Sequence, residues 1–446
     1  MTSVDSAHEY LDELVTWASS NLSGQEVLLA NLDGETSDFV RFNGARVRQA
    51  GAVTQRDLSI DLIEGSRHAR GYVSLAQDLQ IDRPRVSALI DTLREQRSTA
   101  PDDPYLLYAT EISDSQTVSA GSMPAPSDAV GLVVDGAAGR DLVGVYAAGT
   151  TFSGFANSLG QRNWFQSSTF NLDWSLHLRA DKATKNLYAG KEWSDNEFQS
   201  KIDWSIRQLD TLERKPVDLA PGGYRTFLAP SAIQEIIDML SWGGFGLKSQ
   251  RTKQTPLLRM ITEGASFDPA IRISEDIAGG VAPNFQGDGF RRPDEVVLIE
   301  RGQLADSLVS PRSAREYDVP TNGAANHESP LSVAMAPGTL PTADAISELG
   351  TGLYVGNLWY LNFSDRGACR TTGMTRFSTF WVESGEIVAP VNVLRFDDTA
   401  FHLFGDRLVG LTDSAETILD SSSYGARSTS SYRLPGALVE EMTFTL

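Results

Sequence analysis

Leu11, Leu14, Val15 and Ala18 recur at i, i+3, i+4 and i+7, a single apolar stripe that predicts a helix over residues 1–20. From Glu26 the period changes. EVLLAN reads as a buried strand, Leu58, Ile60 and Leu62 alternate with Ser59 and Asp61, and Arg67–Leu75 keeps the strand character. Asp82-Arg83-Pro84 opens a second helix, with Val86, Leu89, Ile90 and Leu93 at helical spacing and the proline near its first turn. Ser98–Asp128, rich in Pro, Ser, Asp and Thr, reads as an exposed connection. A second alternating tract spans Leu142–Leu178, in which Trp174, Leu176 and Leu178 share one face and Ser175, His177 and Arg179 the other. A helix over Asp195–Leu212 places Phe198, Ile202, Ile206 and Leu209 on one side. Glu213–Gly223, with two prolines and paired glycines, is the expected domain boundary. Beyond it the chain reads as short strands with frequent Gly turns, and Ser231–Ser241 is the clear helical exception. The expectation is an α+β protein: an N-terminal mixed sheet with helices over residues 1–220, and a strand-rich C-terminal domain over 221–446.

Composition narrows the chemistry. With 446 residues the chain is long enough for two domains. Its 38 Lys and Arg against 58 Asp and Glu leave a net charge of −20, a field hostile to phosphate backbones, so no nucleic-acid partner is expected. A single cysteine, Cys369, forbids an internal disulfide and any Cys-rich metal site. The first 26 residues carry several acids and no basic or continuous apolar block, so no secretory signal is expected. The longest uncharged run, Leu142–Gln161, is too rich in Gly, Ser, Thr and Asn for a bilayer span. The expected setting is cytoplasmic and away from membranes.

The five histidines bear on metal and triad chemistry. His8-Glu9 and His327-Glu328 begin like a metalloprotease motif, which needs a second histidine about one turn later. Asp12 and Glu13 follow the first and Leu331 and Ser332 the second, so neither closes, and both histidines read as solvated surface residues. His177 lies on the polar face of a strand, and His68 and His402 have no partner at ligand spacing. Trp242–Ser249 (WGGFGLKS) has a phosphate-loop flavour, but Leu247 separates glycine from Lys-Ser; a helix end followed by a Gly-rich turn explains it better. No G-x-S-x-G elbow and no G-x-G-x-x-G after a strand occurs. Read from residues alone, the chain offers no catalytic constellation.

Several longer stretches resemble the TldD/PmbA family, also called modulator of DNA gyrase, and specifically its PmbA (TldE) branch. They are Phe42–Ser74, the FANSLGQ element at Phe155–Gln161, Gly287–Tyr317, and above all Gly352–Asp398 with its LWY, TG-x-TR and W-V-E-x-G-E-I elements. The likeness runs in order through most of the chain. One departure is DDTAFHLF at Asp397–Phe404, where many members carry an Ala-Gly-Asn element.

The resemblance implies a two-subunit zinc peptidase. A TldD subunit carries an HExxxH helix and a Cys ligand, and a PmbA-type subunit lacks both. In this chain the corresponding helix is Ser231–Leu240, where Gln234 and Met239 occupy the two ligand positions and Glu235 the glutamate position. No shift of register supplies a histidine. The same helix has a structural reading: Ile233, Ile236, Ile237 and Leu240 form a buried stripe, Ser231 and Gln234 have capping-box spacing, and Gly243-Gly244 can end it. Glu235 then reads as an exposed carboxylate, and Cys369 as a packed or surface thiol. The implied role is a non-catalytic subunit without catalytic, cofactor or metal residues of its own. Its partners would be an HExxxH subunit that holds the zinc, or a second copy in a homodimer, and a peptide substrate. Rival readings are a self-sufficient hydrolase with dispersed site residues, and a subunit of a peptide-tailoring complex in natural-product biosynthesis.

Overall fold

The computed structural model describes residues 5–179 and 182–445; residues 1–4 of the first expected helix lie outside them. The α+β class expected from the sequence is what the structure shows.

The first sheet holds β1 (Val27–Asn43), β2 (Arg46–Glu64), β3 (Arg67–Ser74), β4 (Ser115–Ser119), β5 (Asp141–Asn157), β6 (Arg162–Arg179) and β7 (Lys182–Gly190). Its order is β3-β2-β1-β5-β6, with the far edge of β6 divided between β4, parallel, and β7, antiparallel. β4 corrects the expectation of an unstructured connection over Ser98–Asp128. Its five residues alternate in burial and pair with Asn163–Ser167, a signal too short to outweigh the surrounding turn formers. Two helices, α1 (Asp5–Ser19) and α2 (Leu79–Thr99), cover one face, packing Leu11, Leu14, Val86 and Ile90 onto Leu28, Ile60 and Leu62. α2 starts before the expected Asp82-Arg83-Pro84. Asp78 is its N-cap, bonded to the amide of Gln80 at 2.9 Å, and Pro84 lies inside the helix. Asp82 is fully buried and accepts the amides of Ala76 and Gln77 at 3.0 and 2.9 Å, so it serves the turn before the helix rather than opening it.

After α3 (Pro126–Gly136) and α4 (Asp195–Leu212), the second sheet begins. It comprises β8 (Gly222–Leu228), β9 (Ile273–Asp276), β10 (Glu295–Glu300), β11 (Gln303–Leu304), β12 (Ser332–Met335), β13 (Gly352–Asp365), β14 (Arg370–Glu383), β15 (Glu386–Pro390), β16 (Arg395–Thr399), β17 (Leu408–Leu419) and β18 (Ser431–Phe444). β8, β13, β14, β16 and β18 pair in succession, and β18 pairs again with β8, so this part of the sheet closes on itself. The expectation of short strands fails for β13, β14 and β18, each 14 residues long. Bulges interrupt their registers and break the alternation that a sequence reading relies on. Helix α5 (Pro230–Ser241) packs on β13 and β18, and α6 (Leu247–Arg251), α7 (Leu258–Glu263), α8 (Pro311–Tyr317) and α9 (Ala345–Leu349) are short connectors.

The halves share a core. Phe198, Ile202 and Leu209 of α4 and Trp174 of β6 belong to one buried cluster with Phe227, Tyr354, Phe380, Val382 and Leu438 of the second sheet. Within Glu213–Gly223, Val217 bridges to Val391 and the guanidinium of Arg214 donates to the carbonyl of Val388 at 2.9 Å, so this segment is stitched to the C-terminal half. On the opposite side, Phe285 inserts beside Leu29, Ile63, Phe155 and Phe165. The following Gly287-Asp288-Gly289 turn is held by Asn31 and Gln161, whose amides donate to the carbonyls of Gly287 and Gly289 at 3.0 and 2.8 Å. Gly289 has φ +88, and a Cβ there would stand 2.9 Å from the ring of Phe155.

Truncating Phe380, which is fully buried in the shared core, is expected to cost about 3–5 kcal/mol. Phe380→Ala should lower the urea midpoint of a probe in each half, because the lost contacts belong to both; a midpoint shift confined to one half would contradict a shared core.

Candidate functional site

Between the halves lies a cleft of about 1180 Å³, walled by β7 and α4 on one side and by β17, β18 and the start of α5 on the other. Its floor is aromatic and amide-rich. Tyr354 is packed against Trp204 and Phe227 with ring centroids 6.0 and 5.9 Å apart, and Ser378 donates to the side-chain oxygen of Gln208 at 2.9 Å. Burial pushes the Tyr354 phenol up to about 12, so it stays protonated as a hydrogen-bonding group. Most cations on the walls are already neutralised: Lys185 pairs with Asp173 at 2.9 Å, Lys201 with Glu416 at 2.8 Å, and Arg433 with Asp276.

α5 leaves β8 through Ala229-Pro230. The cap is Ala229 with proline at the first position, and no side chain caps the helix, so the expected Ser231–Gln234 capping box does not form. Pro230 brings no amide hydrogen of its own, and the amide of Ala232 is met by the carbonyl of Ala229 at 2.9 Å. The helix ends as expected. Gly243 has φ +79, and Gly244 donates to the carbonyl of Leu240 at 2.9 Å, where an added Cβ would sit 2.1 Å from that oxygen. The WGGFGLKS segment is therefore a helix end, and the α6 that follows is already served by an internal carboxylate: Glu328 accepts the amide of Lys248 at 2.8 Å.

Ile233, Ile236, Ile237 and Leu240 are buried, as the stripe predicted. Ser231, Gln234, Glu235 and Asp238 form the opposite, polar stripe, and Ser231 lines the cleft. Asp238 accepts a hydrogen bond from Tyr432, another cleft residue, and is reached by the amide of Gln234 at 3.5 Å. Glu235 corrects the expectation of an exposed carboxylate. It is half-buried, and burial first, then the neighbouring Asp238, pushes its carboxyl up to about 7, with Lys185 pulling the other way. Met239 is buried. An engaged amide and a buried thioether are a poor donor set for Zn²⁺, which takes imidazole, thiolate and carboxylate. The residues at the family's ligand positions thus do not fit that metal. Among the described residues, no group of three or more His, Cys, Asp or Glu is arranged to hold a metal ion.

Residues 221–446 match the profile of the PmbA/TldA metallopeptidase C-terminal domain, the region that contains α5 and the closed sheet. The chain belongs to the TldD/PmbA family. No curated protein matches it. Among solved structures, TldE from Thermococcus kodakarensis superposes with a TM-score of 0.78 at 13% identity, covering 98% of this chain and 100% of that one. Two putative modulators of DNA gyrase are also similar in fold. The Thermotoga maritima protein has a TM-score of 0.73 at 13% identity over 98% and 99% of the two chains. The Bacteroides thetaiotaomicron protein has 0.74 at 15% over the whole of both.

The histidines take structural places. His327 is exposed as expected, whereas His8 stacks on Trp164 at 5.0 Å rather than standing free in solvent. His68 and His402, which have no partner at metal-ligand spacing in the sequence, each bond to one aspartate: the Nδ1 of His68 is 3.0 Å from Asp61 and that of His402 is 2.9 Å from Asp398. Asp61 does not line the cleft; with Arg70 at 2.8 Å it serves the strand pair β2–β3. Cys369 is packed, and burial pushes its thiol up to about 12, far from a reactive thiolate. Among the described residues, no helix is long and apolar enough to cross a membrane. Sequence reasoning missed Tyr354, Gln208, Tyr432 and Lys191 as cleft residues, because nothing local marks a strand or helix position that faces a space made by the other half.

Because Glu235 titrates near 7 in the folded chain against an ordinary 4.5, the folded state holds that proton more tightly, and stability falls as pH rises between those values. Glu235→Gln is expected to stabilise the chain at pH 8 by on the order of 1 kcal/mol once screening is allowed for, seen as a higher melting temperature, and to change little at pH 4.5. Thermal unfolding at both pH values checks this.

Proposed function

We propose that this chain is the non-catalytic, PmbA/TldE-like subunit of a two-subunit zinc peptidase, with the cleft receiving an extended or unfolded peptide. The observation that carries the reading is α5. At the place where the family resemblance puts the metal helix, it presents Gln234 and Met239 and uses both structurally. Zinc would be held by an HExxxH-bearing partner and would supply Lewis-acid activation of water there. This chain's residues contribute walls and hydrogen-bonding groups: the amide floor of Gln208, the phenols of Tyr354 and Tyr432, and the strand edges of β7 and β17. The relatives' name as modulators of DNA gyrase does not extend here to DNA contact, which a charge of −20 disfavours.

Co-expression with an HExxxH homologue from the same genome, followed by size-exclusion chromatography, metal analysis and cleavage of an unfolded peptide, tests the proposal. The expected result is a 1:1 complex that holds zinc and cleaves, while the chain alone does neither. Stoichiometric zinc or cleavage by the chain alone would favour the self-sufficient hydrolase, and a homodimer that persists beside the homologue would sink the paired-subunit reading.

A further inference from the structure

Lys191 stands apart from the other cations of the cleft. It follows β7 directly, is half-buried, and donates from Nζ to the backbone carbonyl of Gly280 at 3.0 Å, a contact that crosses from the N-terminal wall to the C-terminal one. Among the described residues no carboxylate lies within ion-pair reach of it, whereas Lys185, Lys201 and Arg433 are each paired. Arg207 is exposed and stacked over the ring of Trp204 at 5.4 Å, so its charge is solvated. A half-buried ammonium bonded only to a neutral carbonyl is an under-compensated charge, and desolvation accordingly lowers its pKa. An anion arriving beside it would restore the missing interaction.

The surroundings suit a carboxylate. Ser332 and Ser431 are buried, line the cleft, and flank Gly280 so closely that a Cβ there would stand 2.2 Å from the hydroxyl of Ser332. Ser431 donates to the hydroxyl of Ser332 at a long 3.5 Å, a contact either hydroxyl can give up to turn a donor toward an incoming oxygen. Arg433, two positions from Ser431 and thus on the same strand face, adds a guanidinium whose charge Asp276 largely cancels. Lys191 spans the two walls of the cleft, and a terminal carboxylate is the one anionic group that every peptide carries irrespective of its side chains.

We propose that Lys191, with the hydroxyls of Ser332 and Ser431, receives the C-terminal carboxylate of a peptide lying in the cleft, which makes a free C-terminus part of what the site selects. The inference rests on reading the cleft as a peptide site and adds the end-group specificity. The ammonium donates a charge-assisted hydrogen bond to one carboxylate oxygen and the serine hydroxyls serve the other.

Fluorescence anisotropy on the purified full chain tests it, using a labelled octapeptide of neutral side chains as free acid, as C-terminal amide, and as amide with one internal Asp. The native chain is expected to bind the free acid about tenfold tighter than either amide. Lys191→Gln should bring the ratio of acid to amide affinity to about one while leaving amide binding as it was, and Lys191→Arg should keep most of the preference. Unchanged amide binding by Lys191→Gln also shows that the cleft is still formed. An unchanged ratio in Lys191→Gln, or an internal-Asp amide that binds as tightly as the free acid, overturns the end-group assignment and leaves the peptide cleft standing. Failure of every peptide to bind, including in the presence of the HExxxH homologue, removes both.

Discussion

The apolar seam between α4 and the second sheet is the contact on which the rest of the molecule depends. Phe198, Ile202 and Leu209 on one side and Phe227, Phe380, Val382 and Leu438 on the other are withdrawn from water together. Burial at roughly 25 cal/mol per Å² makes such a seam worth far more than the polar contacts around it. It holds α4 on β6 and β7 of the first sheet and β15 of the second, and the cleft lies beside that packing. Trp204 and Gln208 lie on the same helix as the seam and reach into that space, so the geometry of the site follows from the packing of the core.

A second constraint is the double duty of α5. Its apolar stripe holds the second sheet's core, while its polar stripe faces Tyr432 and the cleft. Residues on the polar stripe can change without loosening the core stripe, since the two lie on opposite faces. The polar stripe keeps a cost of its own: Asp238 and Glu235 sit close together and half-buried, and burial raises both carboxyls.

The acidic excess has a structural use as well. Asp82, Glu275, Glu328 and Asp398 are all buried and each accepts backbone amide hydrogens that no strand or helix satisfies. Buried backbone donors must find partners. The irregular connections of the C-terminal half find theirs in carboxylates, which is why many of the acids mark turns rather than chemistry.

The α1 stripe, the α4 stripe and the core stripe of α5 were legible in the chain because periodicity is local and each of these helices buries a single face. Pairing was not. β4 was hidden among turn formers, the long strands β13, β14 and β18 were hidden by their bulges, and the expected cap at Ser231 yielded to Pro230. Glu235 reads as an exposed acid on a helix, and only the tertiary structure shows it half-buried beside Asp238. Lys191 and Gly280 are 89 residues apart and meet only because the seam brings the halves together. The sequence by itself determined which helix faces must leave water, because that is a property of single residues and their near neighbours. The tertiary structure alone decided which polar groups share the cleft, because that depends on contacts between segments with no common local pattern.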